Sequence, residues 1–453
     1  MNHNSTTEDT QSSLLDAKSK KSQVFQKIFF FILGVSSLSG WNAILTGLSY
    51  FADQFEGRNV YFILPIPNFI SLCLIGLFLP RISSMLSMFV RVVWSLIILC
   101  ILLILLPIIA LLMHNSLGFW LCLTIIFIMG IFSSLQQNST IGMCGILGPD
   151  YVNVFFIGTG ASGTIITIFR LISLAAIDSE KSIFLYIGIA VLWNIGAIFM
   201  YFAFTKTPQY RKIIQAHKKG RKSVLVHDQI ITQEEPDNLV QNDSVISDII
   251  DPETFNQINQ TQDSNPKIDN QVTNKTTDQI SIEKMNVIQT LVWINKVAFP
   301  IPLLLVILYI QTFMMFPGVA FQKSFDPDFI NWGQCFISLG YNIGDTLGKF
   351  LAGNRKLFNL QILIGLFLGR FVFFYTYIAI AKGTLDADWI SYLNTFLFGT
   401  INGFITTGYM ILGPEKTNEG FVKEKIGFVS GFSLCFGLML GTFMALPFSN
   451  ISK

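Results

Sequence analysis

Long apolar runs broken by short polar stretches set the pattern of this chain. A helix needs about 20 apolar residues to cross the hydrocarbon core of a bilayer. Eleven segments have that length, near 27–51, 60–80, 90–113, 118–148, 152–177, 183–205, 297–320, 330–353, 359–382, 388–413 and 424–448. The fourth ends at "LGPDY", where Pro149 and Asp150 predict a turn. After the sixth the pattern changes. Residues 206–290 are rich in Asn, Gln, Asp and Thr and poor in aromatics. Such a segment buries too little apolar surface to offset its ordering entropy, which predicts a disordered linker. The expected organisation is a polar tail over 1–26, a six-helix half over 27–205, the linker over 206–290, a five-helix half over 291–448, and a short tail over 449–453.

Composition supports an all-α membrane protein. Of the 453 residues, 51% are hydrophobic and only 13% are charged, about half the charged share of a soluble domain. The net charge of +2 gives no reason to expect a nucleic-acid partner. The placement of charge is more informative. Lys18, Lys20, Lys21, Arg81, Arg91, Lys206, Arg211, Lys218, Arg355, Lys416 and Lys425 fall on one set of loops, whereas the other set holds Arg58, Lys181, Lys323, Lys382 and Lys453. Positive residues stay on the cytoplasmic side, so the N-terminus and the 206–290 loop are expected there, with the C-terminus outside. The polar start argues against a cleaved signal peptide. Cys73, Cys100, Cys122, Cys144, Cys335 and Cys435 all lie in apolar segments without CxxC spacing, and read as reduced packing residues. His3, His114, His217 and His227 are scattered. No metal, cofactor or enzyme constellation is expected, and no GxxxxGK[ST] motif suggests ATP drive.

The stretch "YNIGDTLGKF", residues 341–350, departs from the apolar pattern. Asp345 and Lys349 lie four apart, one helical turn on one face, where they can pair. Ser338, Tyr341 and Asn342 extend that face into a polar stripe. Gly340, Gly344, Gly348 and Ala352 form a ridge of small residues suited to close helix packing. Ionisable groups inside a membrane are costly and mark substrate paths; the plainer alternative is an ion pair that fixes packing. Asn42, Asn68, Gln137, Asn138, Arg170, Gln334, Arg370, Asn394 and Asn402 also fall within spans. Neutral polar groups with a few charges suit a polar organic solute better than a bare ion. For Arg170 the alternatives are snorkelling, pairing with Asp345 or entry into the site.

These residues resemble the equilibrative nucleoside transporter family. "GVSSLSGWNAILTGLSYF" is similar to that family's first helix, with Trp41 and Asn42 kept and Gly40 where proline is usual. "LQQNSTIGMCGILGPDY" resembles the fourth helix at Gln137, Gly142 and Gly145, and "IGTGASG" a paired-glycine motif at Gly158 and Gly163. "MMFPGVAF" carries Pro317 of a seventh-span motif. "YNIGDTLGKF" matches the eighth-span signature at Asn342, Asp345 and Gly348, with Lys349 where arginine is usual. "GRFVFF" supplies Arg370, and "INGFITTGYMILGPEK" supplies Asn402.

The resemblance implies a major-facilitator-like fold, a 6+5 arrangement of eleven transmembrane helices with a site between halves that rock in alternating access. It implies a facilitative nucleoside carrier. The alternatives are a proton-coupled nucleoside or nucleobase carrier and, in another class, a multispan receptor without transport. Substrate-binding roles fall to Leu38, Trp41, Asn42, Leu45, Gln137, Asn342, Asp345 and Lys349. Trp41 would stack on a base between Leu38 and Leu45, Gln137 would meet the base edge, and Asp345 and Lys349 would meet ribose hydroxyls. Plainer roles are an interfacial anchor for Trp41 and an interhelical hydrogen bond for Gln137. Gly142, Gly145, Gly158, Gly163, Pro317, Gly348, Arg370 and Asn402 are expected to serve packing or gating. The expected partners are a nucleoside or nucleobase and lipid, in the plasma membrane or else an intracellular one.

Overall fold

The computed structural model describes residues 4–177, 179–211, 213–215, 287–417, 420–449 and 451. The body of the fold is one compact unit formed by Met1–Ile213 and Ile294–Lys453. The remaining unit, Ile214–Trp293, lies almost wholly outside the described residues, and with it most of the expected disordered linker. The described start of that linker is structured. Residues 208–211 are helical, Tyr210 sets its ring edge against Tyr201 and Phe204, and Ile213 is buried.

The helices run α1 (Asn4–Thr46), α2 (Leu48–Gln54), α3 (Val60–Ile63), α4 (Pro65–Met85), α5 (Ser95–Leu112), α6 (Ser116–Leu147), α7 (Pro149–Ala176) and α8 (Ser179–Thr205). After the undescribed segment come α9 (Val287–Val297), α10 (Ile301–Met315), α11 (Ile330–Leu351), α12 (Leu360–Gly369), α13 (Val372–Ala381), α14 (Asp388–Glu415) and α15 (Gly420–Ala445). Among the described residues, ten segments are long and apolar enough to cross a membrane. The eighth expected span, α11, has 22 residues, enough for roughly 33 Å of helix, but its polar stripe keeps it out of that set. The tail is not separate from the first span: the helix begins at Asn4 and passes unbroken through Gly40. The ninth span breaks between α12 and α13, at Arg370 and Phe371.

Large apolar side chains such as Trp94, Leu112, Trp120, Leu192, Phe199, Val372 and Trp389 face outward, as a lipid solvent allows. Inside, small residues set how closely the helices approach. A Cβ on Gly344 or Gly348 would collide with the Phe396 or Thr400 carbonyl of α14, and one on Gly399 or Gly403 with the Tyr341 or Asp345 carbonyl of α11. The expected ridge on α11 thus meets a matching one on α14. Gly34 and Gly158 do the same between α1 and α7. Gly142 faces open space, so in this conformation it serves no close helix contact; the surroundings of Gly145 lie outside the described residues.

At the bundle end toward which α1 runs, the N-terminal and C-terminal groups of helices touch directly. The Tyr61 hydroxyl lies 3.1 Å from Gln334 Nε2, and its ring edge meets Phe321. The Phe62 ring fills the notch left by Gly318, just after Pro317. At the same end Lys323, with 2% of its side chain exposed, pairs with Asp386 at 2.8 Å and Asp388 at 3.2 Å. Burial pushes the Lys323 pKa down, but the two carboxylates more than offset this and leave it raised.

Candidate functional site

A cavity of about 120 Å³ lies where the two groups of helices meet. All eight residues expected to bind substrate line it: Leu38, Trp41, Asn42 and Leu45 from α1, Gln137 from α6, and Asn342, Asp345 and Lys349 from α11.

The charged wall comes from α11. Lys349 Nζ lies 2.7 Å from Asp345 Oδ2, with 7% and 10% of the two side chains exposed. An ion pair this buried needs further hydrogen bonds to offset desolvation, and both partners have them. Asn402 Nδ2 donates to Asp345 Oδ1 at 2.9 Å, and Lys349 Nζ donates to Thr159 Oγ1 at 3.2 Å. The first bond comes from α14, packed glycine to glycine on α11. The second crosses to α7, where Gly160 faces Thr346 and the Lys349 stem. Asn342 also crosses: it donates to Thr167 at 3.1 Å and occupies the space beside Gly163.

Asn402 thus belongs to the cavity wall as well as to helix packing. Behind it, the Thr312 hydroxyl lies 2.9 Å from Asn402 Oδ1 and accepts from Arg370 Nη2 at 2.9 Å. Arg370 is fully buried over the Phe398 ring, at the break between α12 and α13, and is not part of the lining. Arg170 does not enter the cavity either. It donates to Ser182 and lies over the Tyr186 ring at 5.2 Å. Ser338, on the predicted stripe, is buried outside the lining.

The aromatic wall is larger than the sequence indicated. Trp41 is 9% exposed and sits edge-on to Phe69 at 4.9 Å; Phe69 meets Phe313 of α10 at 4.7 Å. Phe316 stacks on Tyr341 at 4.1 Å. Trp41 is therefore an internal residue, not an interfacial one. Asn42 donates to Ser162 of α7 at 3.1 Å. Sequence reasoning missed Thr159, Phe69, Phe313 and Phe316. The only signal for Thr159 was its place between two glycines of "IGTGASG"; nothing separated the phenylalanines from the many that face lipid.

A helical bundle with a polar and aromatic cavity between two contacting groups of helices defines a membrane solute carrier. Solved structures of other transporters share the fold. The nucleoside transporter NupG, in the form of a point mutant, superposes with a TM-score of 0.54 at 12% identity, covering 94% of this chain and 97% of that one. The major facilitator superfamily proton:xylose symporter XylE gives 0.57 at 10% identity, over 94% and 88%. The nucleoside transporter family model matches residues 123–449. The chain belongs to the nucleoside transporter family and is a transporter, not an enzyme. Equilibrative nucleotide transporter 7 of Arabidopsis thaliana is 24% identical over 405 residues, 85% of this chain and 86% of the relative. Equilibrative nucleotide transporter 1 of the same plant is 22% identical over 435 residues, 93% and 85%. Nucleoside transporter 2 of Leishmania donovani is 26% identical over 247 residues, 53% and 46%.

Proposed function

We propose that this chain is a facilitative nucleoside carrier of eleven spans, six before the 206–290 loop and five after it. Its two halves rock about the central cavity in alternating access. The observation that carries this reading is the Asp345–Lys349 pair, set in one wall of a cavity whose facing surface is aromatic. Asp345 accepts from ribose hydroxyls and Lys349 donates to them, each a charge-assisted hydrogen bond worth about 1.5–3 kcal/mol. The Trp41 and Phe69 rings hold the base. The N-terminus and the 206–290 loop lie in the cytoplasm, so the Tyr61–Gln334 contact closes the outer end. The plasma membrane is the proposed host.

Uptake of labelled uridine and adenosine into proteoliposomes tests the reading. The expected result is saturable, downhill entry that stops at equal concentrations and is unaffected by an imposed proton gradient. Accumulation above equilibrium under an inward proton gradient would establish coupled transport instead. Absence of saturable uptake into vesicles that hold folded protein would overturn the nucleoside assignment.

A further inference from the structure

One polar residue of the cavity wall has no role in the reading above. Asn68 lies in the first turn of α4, lines the cavity, and is 3% exposed. Its amide nitrogen has no hydrogen-bond partner. A buried amide without a partner costs free energy, and most such groups in folded proteins are satisfied. The backbone that carries it is firmly held. The Asn68 carbonyl accepts from Ser71 Oγ at 2.9 Å, and its Cα sits against Gly130 of α6, where any Cβ would crowd it. A rigid mount with an unsatisfied polar tip is the form of a recognition group.

A second carboxamide on the same wall shares this state. Gln137 lines the cavity, and its Oε1 has no hydrogen-bond partner. Each amide carries a donor and an acceptor. Both come from the N-terminal helices, whereas the charged pair comes from α11. A nucleoside has the same division: a charge-seeking sugar at one end, and at the other a base edge with a donor beside an acceptor.

We propose that Asn68 is a specificity-determining residue whose unpartnered Nδ2 donates to the exocyclic carbonyl of the nucleobase, beside Gln137. This rests on the nucleoside reading above. It predicts that the carrier separates ordinary nucleosides from analogues lacking that carbonyl oxygen. A site built to hydrogen-bond a group discriminates against the ligand without it, because its own polar atom is then left unpaired.

The test compares uridine with 4-thiouridine, and inosine with 6-thioinosine, as inhibitors of labelled uridine uptake, since sulfur keeps the ring N–H but is a poor acceptor. In the wild type each parent should inhibit about tenfold more tightly than its analogue, the worth of one neutral hydrogen bond. Asn68→Leu, similar in shape but apolar, should weaken the parents by about that factor, leave the analogues nearly unchanged, and bring both ratios close to one. Asn68→Ala, scored by the same ratios, serves if the leucine variant does not accumulate. A merely structural Asn68 would weaken all four ligands together. Ratios retained in the variants, or ratios of one in the wild type, would overturn the assignment while leaving nucleoside transport standing. If the wild type takes up no uridine, it is the nucleoside reading that falls.

Discussion

The two charges of α11 illustrate how little room a buried pair leaves for substitution. Asp345 accepts from Lys349 on one oxygen and from Asn402 on the other, so Asp345→Asn removes the charge beside the cation and leaves one acceptor for two donors. Breaking a buried pair commonly costs about 3–5 kcal/mol. Nucleoside uptake should fall far more than protein abundance, measured side by side on the same membranes. Lys349→Arg keeps the charge and offers a planar fork in place of a point charge; partial transport is expected, with altered preference among ribose analogues. If a 2′,3′-dideoxynucleoside and its ribonucleoside lose the same binding on Asp345→Asn, the carboxylate does not read the sugar. Trp41 gives an independent check on the aromatic wall. Trp41→Ala should raise the half-saturation constant about tenfold, and Trp41→Phe should recover part of it, since stacking needs a ring face and not the indole N–H. Wild-type kinetics in both would place the base elsewhere.

At the level of helices, α11 and α14 pack backbone to backbone through Gly344, Gly348, Gly399 and Gly403. This contact sets the Asp345–Asn402 distance, so packing and recognition are linked. Gly403→Val should push the helices apart and cost about 1–3 kcal/mol by overpacking. A lowered melting temperature in detergent, together with uptake lost beyond the loss of folded protein, is the expected pair of results. Unchanged melting would mean that the helices meet elsewhere. Much of this scale was legible in the sequence. A small-residue ridge and an i,i+4 charge pair are local patterns, and both stand out against an apolar background. The partners were not legible. Asn402 lies 57 residues from Asp345 and Thr159 lies 190 residues from Lys349; such meetings are set by which helices adjoin, and no local period reports that. The break at Arg370 was hidden for a similar reason. No proline marks it, and the groups that hold the guanidinium, Thr312 and the Leu308 carbonyl, come from another helix. Helix α9 was also missed, because its 11 residues follow a polar stretch without a clear boundary.

For the molecule as a whole, the contact of Tyr61 with Gln334 and of Phe62 with Gly318 should part if the halves rock. A short bifunctional thiol reagent joining Tyr61→Cys to Gln334→Cys should therefore stop uptake, and reduction should restore it; uptake that persists with the link formed would exclude motion at this end. A different consequence follows from the bond between Lys349 and Thr159. On the ribose role proposed for Lys349, an arriving sugar would compete with the Thr159 hydroxyl, a built-in mimic, for the same ammonium. An empty return would then have to open this bond between α7 and α11, whereas a bound sugar would already have replaced it. Swapping nucleoside for nucleoside should run faster than one-way filling of empty vesicles. Thr159→Val removes the mimic and should narrow that gap, chiefly by hastening the empty return; a gap of unchanged size would show that the threonine idles while the transporter turns.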